Sequence, residues 1–178
     1  MLRAALAAAG GARVVSLSSS AHLHSPVVFG DLDVRFRPYD PIRAYAESKT
    51  ATVLLAVEAT RRWSGDGIYA NAVNPGAIAT GLQRHTGGLK TPVERRKSVA
   101  QGAATSVFLA SSPLVEGLGG RYFEDVNEAD RRTESPGLFG TGVADYAVEP
   151  RYAELLWEVS AELVSAARAP ARPGRRCD

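Results

Sequence analysis

Cysteine is almost absent from this 178-residue chain: the single one, Cys177, stands next to the C-terminus, so no intrachain disulfide can form and no thiolate cluster can hold a metal. That usage suits a reducing compartment, and a cytoplasmic location is the expectation. Long apolar runs are also missing, and no segment approaches the about 20 residues that a membrane-spanning helix needs. The alanine-rich start has a short apolar stretch that leads directly into a core-type strand, which does not fit a signal peptide. Charge of one sign is lacking too: the net charge is +2, and the pI near 8.8 owes much to Arg172, Arg175 and Arg176 in a Pro/Arg-rich tail. No aromatics interleave with those arginines, so the tail reads as a solvated end and not as a nucleic-acid surface. Histidine is sparse. His22 and His24 lie two apart, His85 stands alone, and no further Cys or His completes a ligand set, so no metal is expected. With 45% apolar and 22% charged residues, what is present is ordinary globular material, enough for one core but short for a complete doubly wound enzyme.

The order of elements points to an α/β fold. Residues 1–11 read as the end of a helix stopped by Gly10 and Gly11. Ala12 to Ser20 is a β-branched run that ends in hydroxyls, as a buried parallel strand ends where it leaves the sheet. Asp40 and Pro41 supply an N-cap and a first-turn proline for a helix reaching about Trp63, with Gly65-Asp66-Gly67 as its stop. Ile68 to Asn74 is a second strand, closed by the Pro75-Gly76 turn. Strand, helix and strand in that order form a βαβ unit with parallel strands and a right-handed crossover. Farther on, Thr91-Pro92-Val93-Glu94 reads as a capping box opening a helix to about Ala110, and Gly120 to Glu124 as a last strand. Residues 125–148 read as loop, and Pro150 to about Ala167 as an amphipathic helix with Leu155, Leu156, Val159 and Leu163 inward. The expected fold is α/β, a doubly wound parallel sheet with about three strands and flanking helices.

Tyr45-Ala-Glu-Ser-Lys49 carries the chemistry. Residues four apart share a helix face, so the Lys49 ammonium can approach the Tyr45 phenol. A nearby cation favours the phenolate, which makes Tyr45 a candidate general acid or base. Only 3 of the 21 basic residues are lysines, and such a spacing from one of the 6 tyrosines is expected about 0.1 times by chance. A surface tyrosine resting on a lysine stem would give the same pattern. Context favours chemistry: Ser19 and the Pro75-Gly76 turn both fall at the carboxyl edge of the strands, where ligands of such sheets bind.

Ser18-Ser19, Tyr45-x-x-x-Lys49 and Asn71-x-x-x-Pro75-Gly76-x-x-x-Thr80, in this order, resemble the catalytic half of the short-chain dehydrogenase/reductases. Ser18-Ser-Ser20-Ala-His22 and Phe29-Gly-Asp31-Leu32 are similar to the retinol-dehydrogenase-like and bacterial oxidoreductase group. The resemblance covers residues 12 to about 165. It implies interconversion of an alcohol and a carbonyl with NAD or NADP. On it, Ser19 polarises the carbonyl, Tyr45 exchanges the proton, and Lys49 assists Tyr45 and holds the nicotinamide ribose. Pro75, Gly76, Ile78 and Thr80 match the turn along the nicotinamide. It also implies a small-molecule substrate with lipophilic character and allows a homo-oligomer, and it makes Gly81 to Lys90 a lid.

One part of the family pattern is missing. The glycine-rich strand-turn-helix that brings amides to the pyrophosphate has no counterpart. Gly117-Leu-Gly119-Gly120 precedes a strand, and Gly137 to Gly142 lies in a polar loop. Residues 1–168 are therefore expected to be the C-terminal portion of one Rossmann-like domain, and 169–178 a disordered tail. Cofactor binding is expected to be compromised and the chain inactive alone. A nonenzymatic remnant or regulatory module stays open. So does a serine hydrolase using Ser19 with His22 or His24, although no Gly-x-Ser-x-Gly elbow is present.

Overall fold

The computed structural model describes residues 2–85, 87–137 and 139–168. The tail expectation for 169–178 lies outside them. After helix α1 (Leu2–Ala8), Gly10 and Gly11 at positive φ turn the chain into strand β1 (Ala12–Leu17). Helix α2 (Pro41–Trp63) is capped by the Asp40 carboxylate, which accepts from the amides of Ile42 and Arg43. It ends at Ser64–Asp66, where Gly67 takes a left-handed conformation. Strand β2 (Ile68–Asn74) then pairs in parallel with β1, from Ala12 opposite Ile68 to Leu17 opposite Val73. Strand β3 (Tyr122–Glu124) lies parallel on the other side of β2. The three parallel strands and the βαβ order are as the sequence implies. Among the described residues, no strand pairs with the outer edge of β1.

Alternation along the strands sorts the core into two layers. Val14, Ala70, Ala72 and Tyr122 face α2 with Val53, Ala56 and Ala59, while Val15, Val73 and Phe123 face helix α3 (Val99–Ser111) with Leu109 and Val115. Arg13 ties the second layer together by donating to the Ser112 carbonyl (2.6 Å) at the end of α3 and pairing with Glu116. On α2, Glu58 is wholly buried yet paired, with Arg61 and Arg62 both donating to it at 2.5–2.7 Å.

Three expectations need correction. The helix after the lid does not begin at a Thr91 capping box. Residues Val93–Arg95 make one short turn, and α3 starts at Ser98, whose hydroxyl accepts from Gln101 while Gln101 reaches back to the Ser98 amide. The chain before Ser98 is extended because Lys97 bridges Ile78 beside the Pro-Gly turn. Tyr122–Glu124 is not the last strand and 125–148 is not all loop: β3 turns back through Asp125 and Val126 into β4 (Asn127–Glu128), and β5 (Arg131–Arg132) pairs with β6 (Val143–Ala144). Both turn residues have positive φ, 51° and 64°, costly for the β-branched Val126. In the final helix α4 (Pro150–Arg168), Leu156 and Val159 are half-buried as expected but Leu155 and Leu163 are exposed; Ala153 is buried, and Trp157 lies edge-on to Trp63 of α2 at 5.3 Å between ring centroids.

Candidate functional site

Helix α2 is pinned to the tip of β1 through one residue, Lys49. Its backbone carbonyl accepts from the Ser18 hydroxyl (2.8 Å), and its ammonium donates to the Leu17 carbonyl (3.1 Å). The Lys49 nitrogen also stands 5.4 Å from the centroid of the Tyr45 ring, over its face. Tyr45 is 47% exposed, one turn into a helix that buries Ala46, Thr50 and Val53. The i, i+4 spacing therefore does what the sequence suggests: it brings cation and phenol together at the carboxyl edge of the sheet.

Ser19 follows Ser18 in extended backbone (φ −166°, ψ 156°) and caps the short turn Ser20–His24, its hydroxyl oxygen accepting from the Ala21 amide at 3.2 Å. The hydroxyl hydrogen remains available to donate. The two adjacent serines thus divide their work, since Ser18 is buried and grips α2 while Ser19 sits at the rim.

The Pro75-Gly76 turn is built at the end of β2. The Asn74 side chain accepts from the Gly76 amide (3.0 Å), and Gly76 lies at φ 82°. A side chain at Gly76 would strike Lys97, whose stem crosses the glycine to reach Asp125. Ile78 packs its side chain against Gly102 of α3, where an added Cβ would stand 2.2 Å from the Ile78 tip. Thr80 is exposed and accepts from the Leu82 amide at 3.2 Å. Beyond it, a cavity of about 400 Å³ opens between Thr80 and Gly87–Leu89, flanked by Arg84 and Arg96.

His22 is the residue whose importance sequence reasoning missed. It is fully buried, with its ring against Tyr122 at 4.6 Å between centroids. Nε2 accepts from the Ala144 amide (3.2 Å), which leaves the ring proton on Nδ1 to be donated to the Ser19 carbonyl (2.7 Å). Burial pushes its pKa down to about 4, the Ser19 bond offsetting part of the shift and the nearby His24 adding slightly to it. Both ring nitrogens are thus engaged, and neither faces the Ser19 hydroxyl. On that geometry His22 is excluded as the base of the serine-hydrolase alternative. The only sequence signal was the histidine's place two residues after the serine run. Among the described residues, no group of His, Cys, Asp and Glu is arranged to hold a metal.

The donor set fits one end of a nicotinamide dinucleotide. Lys49 keeps two N–H groups beyond the one given to Leu17, and the phenol and the Ser19 hydroxyl suit ribose hydroxyls and a carbonyl oxygen. For the pyrophosphate the described residues offer no glycine-rich strand-turn-helix: Gly117–Gly120 leads into β3, and the glycines at 137, 140 and 142 lie between β5 and β6.

No family model matches the chain. Over 179 residues it is 50% identical to a probable oxidoreductase of Streptomyces lividans, covering 93% of this chain and 59% of that protein. A short-chain dehydrogenase/reductase of Penicillium roqueforti, prx1, is 35% identical over 86% of this chain and 47% of its own length. Among solved structures, an uncharacterised protein of Mycobacterium paratuberculosis superposes with a TM-score of 0.61 at 28% identity, over 87% of this chain and 51% of the other. The chain spans between about half and three-fifths of the length of these relatives. The fold defines the chain as a Rossmann-like α/β protein. Within that class, the chain belongs to the short-chain dehydrogenase/reductase family.

Proposed function

We propose that this chain contributes the proton-transfer site of an NAD- or NADP-dependent enzyme that interconverts an alcohol and a carbonyl. The observation that carries the reading is the placement of Lys49, clasped to the end of β1 with its ammonium over the Tyr45 ring. In the carbonyl-forming direction Tyr45 takes the alcohol proton; in the reverse direction it gives a proton to the oxygen that gains negative charge. Ser19, with its hydroxyl hydrogen unspent, donates to that same oxygen and stabilises the charge as it develops. Lys49 offers its remaining N–H groups to ribose hydroxyls. The Pro75-Gly76 turn, Ile78 and Thr80 form the wall on which the nicotinamide would rest, and a bound nicotinamide would supply or accept the hydride. The cavity beside Thr80 gives the 81–90 segment its role as a substrate lid. Exposed Leu17, Tyr39 and Ile42 suit a lipophilic substrate.

Replacing Tyr45 by Phe in the natively expressed protein tests this. Turnover of its alcohol–carbonyl pair, followed by nicotinamide absorbance, is expected to fall by about 10²–10⁴-fold with cofactor affinity little changed. Near-normal turnover would remove Tyr45 from the role.

A further inference from the structure

Ser19 sits on a segment that has left the sheet, and a hydroxyl that must meet a reacting oxygen needs its backbone fixed to a fraction of an ångström. The covalent neighbours do part of this. The Ser18 amide donates to the Val73 carbonyl at 2.8 Å, continuing the β1–β2 ladder by one residue, and the Ser18 hydroxyl reaches α2. Beyond Ser19 the chain makes a single short helical turn, which has little stiffness of its own.

The His22 amide closes the turn on the Ser19 carbonyl (3.1 Å), and a second hold on that carbonyl comes from more than a hundred residues away. The His22 ring bridges the Ser19 carbonyl and the Ala144 amide, so that strand β6 grips the serine through an imidazole. The histidine is locked in turn. Its carbonyl accepts from Tyr146 (2.6 Å) and from Thr50 of α2 (3.2 Å), and its ring lies against Tyr122 of β3. Strands β6 and β3 therefore meet at the fully buried ring, α2 and Tyr146 hold the backbone carbonyl of the same residue, and the ring's outward partner is the backbone of Ser19.

We propose that His22 is a positioning residue for Ser19: its neutral imidazole transmits the placement of the 143–147 segment to the serine that polarises the substrate. This rests on the role given to Ser19 above. It assigns His22 no proton transfer, because both ring nitrogens are already committed.

Two conservative variants separate the two bonds. In His22→Asn the side-chain amide stands where Nδ1 was and can still donate to Ser19, but it falls short of Ala144. In His22→Gln the amide reaches Ala144 and loses the bond to Ser19. Hydrogen exchange of the Ala21 amide, which the Ser19 hydroxyl holds, reports the serine directly and needs no cofactor. With Val53 as the internal reference, Ala21 exchange is expected to rise at least about tenfold in His22→Gln and to stay within about threefold in His22→Asn. In the active protein, kcat is expected to fall at least about tenfold in His22→Gln with KM nearly unchanged, and His22→Asn is expected to retain most of it. Equal exchange in the two variants, or unchanged Ala21 exchange in His22→Gln, overturns the proposal. So does a kcat unaffected in His22→Gln while Tyr45→Phe abolishes turnover. If Tyr45→Phe leaves turnover intact, the functional reading fails, and the exchange result still decides whether His22 holds Ser19. Should both variants fail to fold, the imidazole ¹⁵N spectrum of the unaltered protein decides: a proton on Nδ1 is required, and one on Nε2 refutes the bridge.

Discussion

A buried neutral histidine makes stability depend on pH, and the size of the effect follows from its environment. The His22 pKa falls from 6.5 to about 4 on folding because burial disfavours the cation. The folded state therefore binds fewer protons than the unfolded chain between those values. His22's contribution is fully present above the unfolded value, declines as the pH falls below it, and stops declining below about 4. Integrated from about pH 7.5 to about pH 4.5, the loss is about 2.5 kcal/mol, a substantial share of the about 5–15 kcal/mol that holds a domain together. Two carboxyls held low, Glu58 and Asp31, act in the same direction but at lower pH. Glu58 is lowered chiefly by the hydrogen bond from Arg61; for Asp31, burial pushes upward but the amides of Arg35 and Phe36 together with the Arg37 guanidinium outweigh it. Their contributions are lost only as the pH drops through ordinary values of 4.5 and 3.8, so the interval above belongs to His22. Urea melts over this interval should show the midpoint falling by about 1 M at a slope near 2 kcal/mol per M. His22→Gln, which cannot take up the proton, should flatten that dependence. A midpoint that stays constant in the unaltered chain, or falls equally in the variant, would refute both the burial argument and the neutral bridge.

Gly102→Ala should destabilise the fold by about 1–3 kcal/mol in denaturant titration, because the new methyl would collide with the Ile78 tip. Shortening the partner in Gly102→Ala/Ile78→Val should recover part of that loss, and strict additivity of the two changes would deny the contact. Ser98→Ala should cost about 1 kcal/mol through the lost cap of α3, whereas Thr91→Ala should cost clearly less; the reverse order would restore the earlier helix start. Calorimetric titration of the 178-residue chain with NADH or NADPH should give no saturable heat, since the described residues offer no glycine-rich strand-turn-helix for the pyrophosphate. Tight binding would show that other residues of the chain cradle the phosphates.

Legibility in the sequence followed the distance over which each feature is determined. The α2 boundaries were readable to the residue because Asp40, Pro41 and Gly67 act within one turn of themselves. The Tyr45–Lys49 pair was readable because helical geometry alone brings residues four apart together. The start of α3 was misplaced by local reasoning of the same kind. Thr91-x-x-Glu94 and Ser98-x-x-Gln101 both satisfy the capping pattern, and what selects the second is the pairing of Lys97 with Ile78, a contact between segments that no local pattern contains. The inward face of α4 was legible in part for a related reason. Leu156 and Val159 are half-buried on the expected stripe, but Trp63 of α2 meets Trp157, and Leu155 and Leu163 stay in solvent. His22 is the extreme case. Two residues from a recognisable serine run it looks like one more polar loop residue, and its role exists only once Ala144, 122 positions away, is folded against it. Groups that perform chemistry must present chosen atoms to a ligand and therefore draw on few residue types at fixed spacings. A group that holds them needs only to reach whatever backbone the fold brings near, so its partners leave no spacing in the sequence to be read.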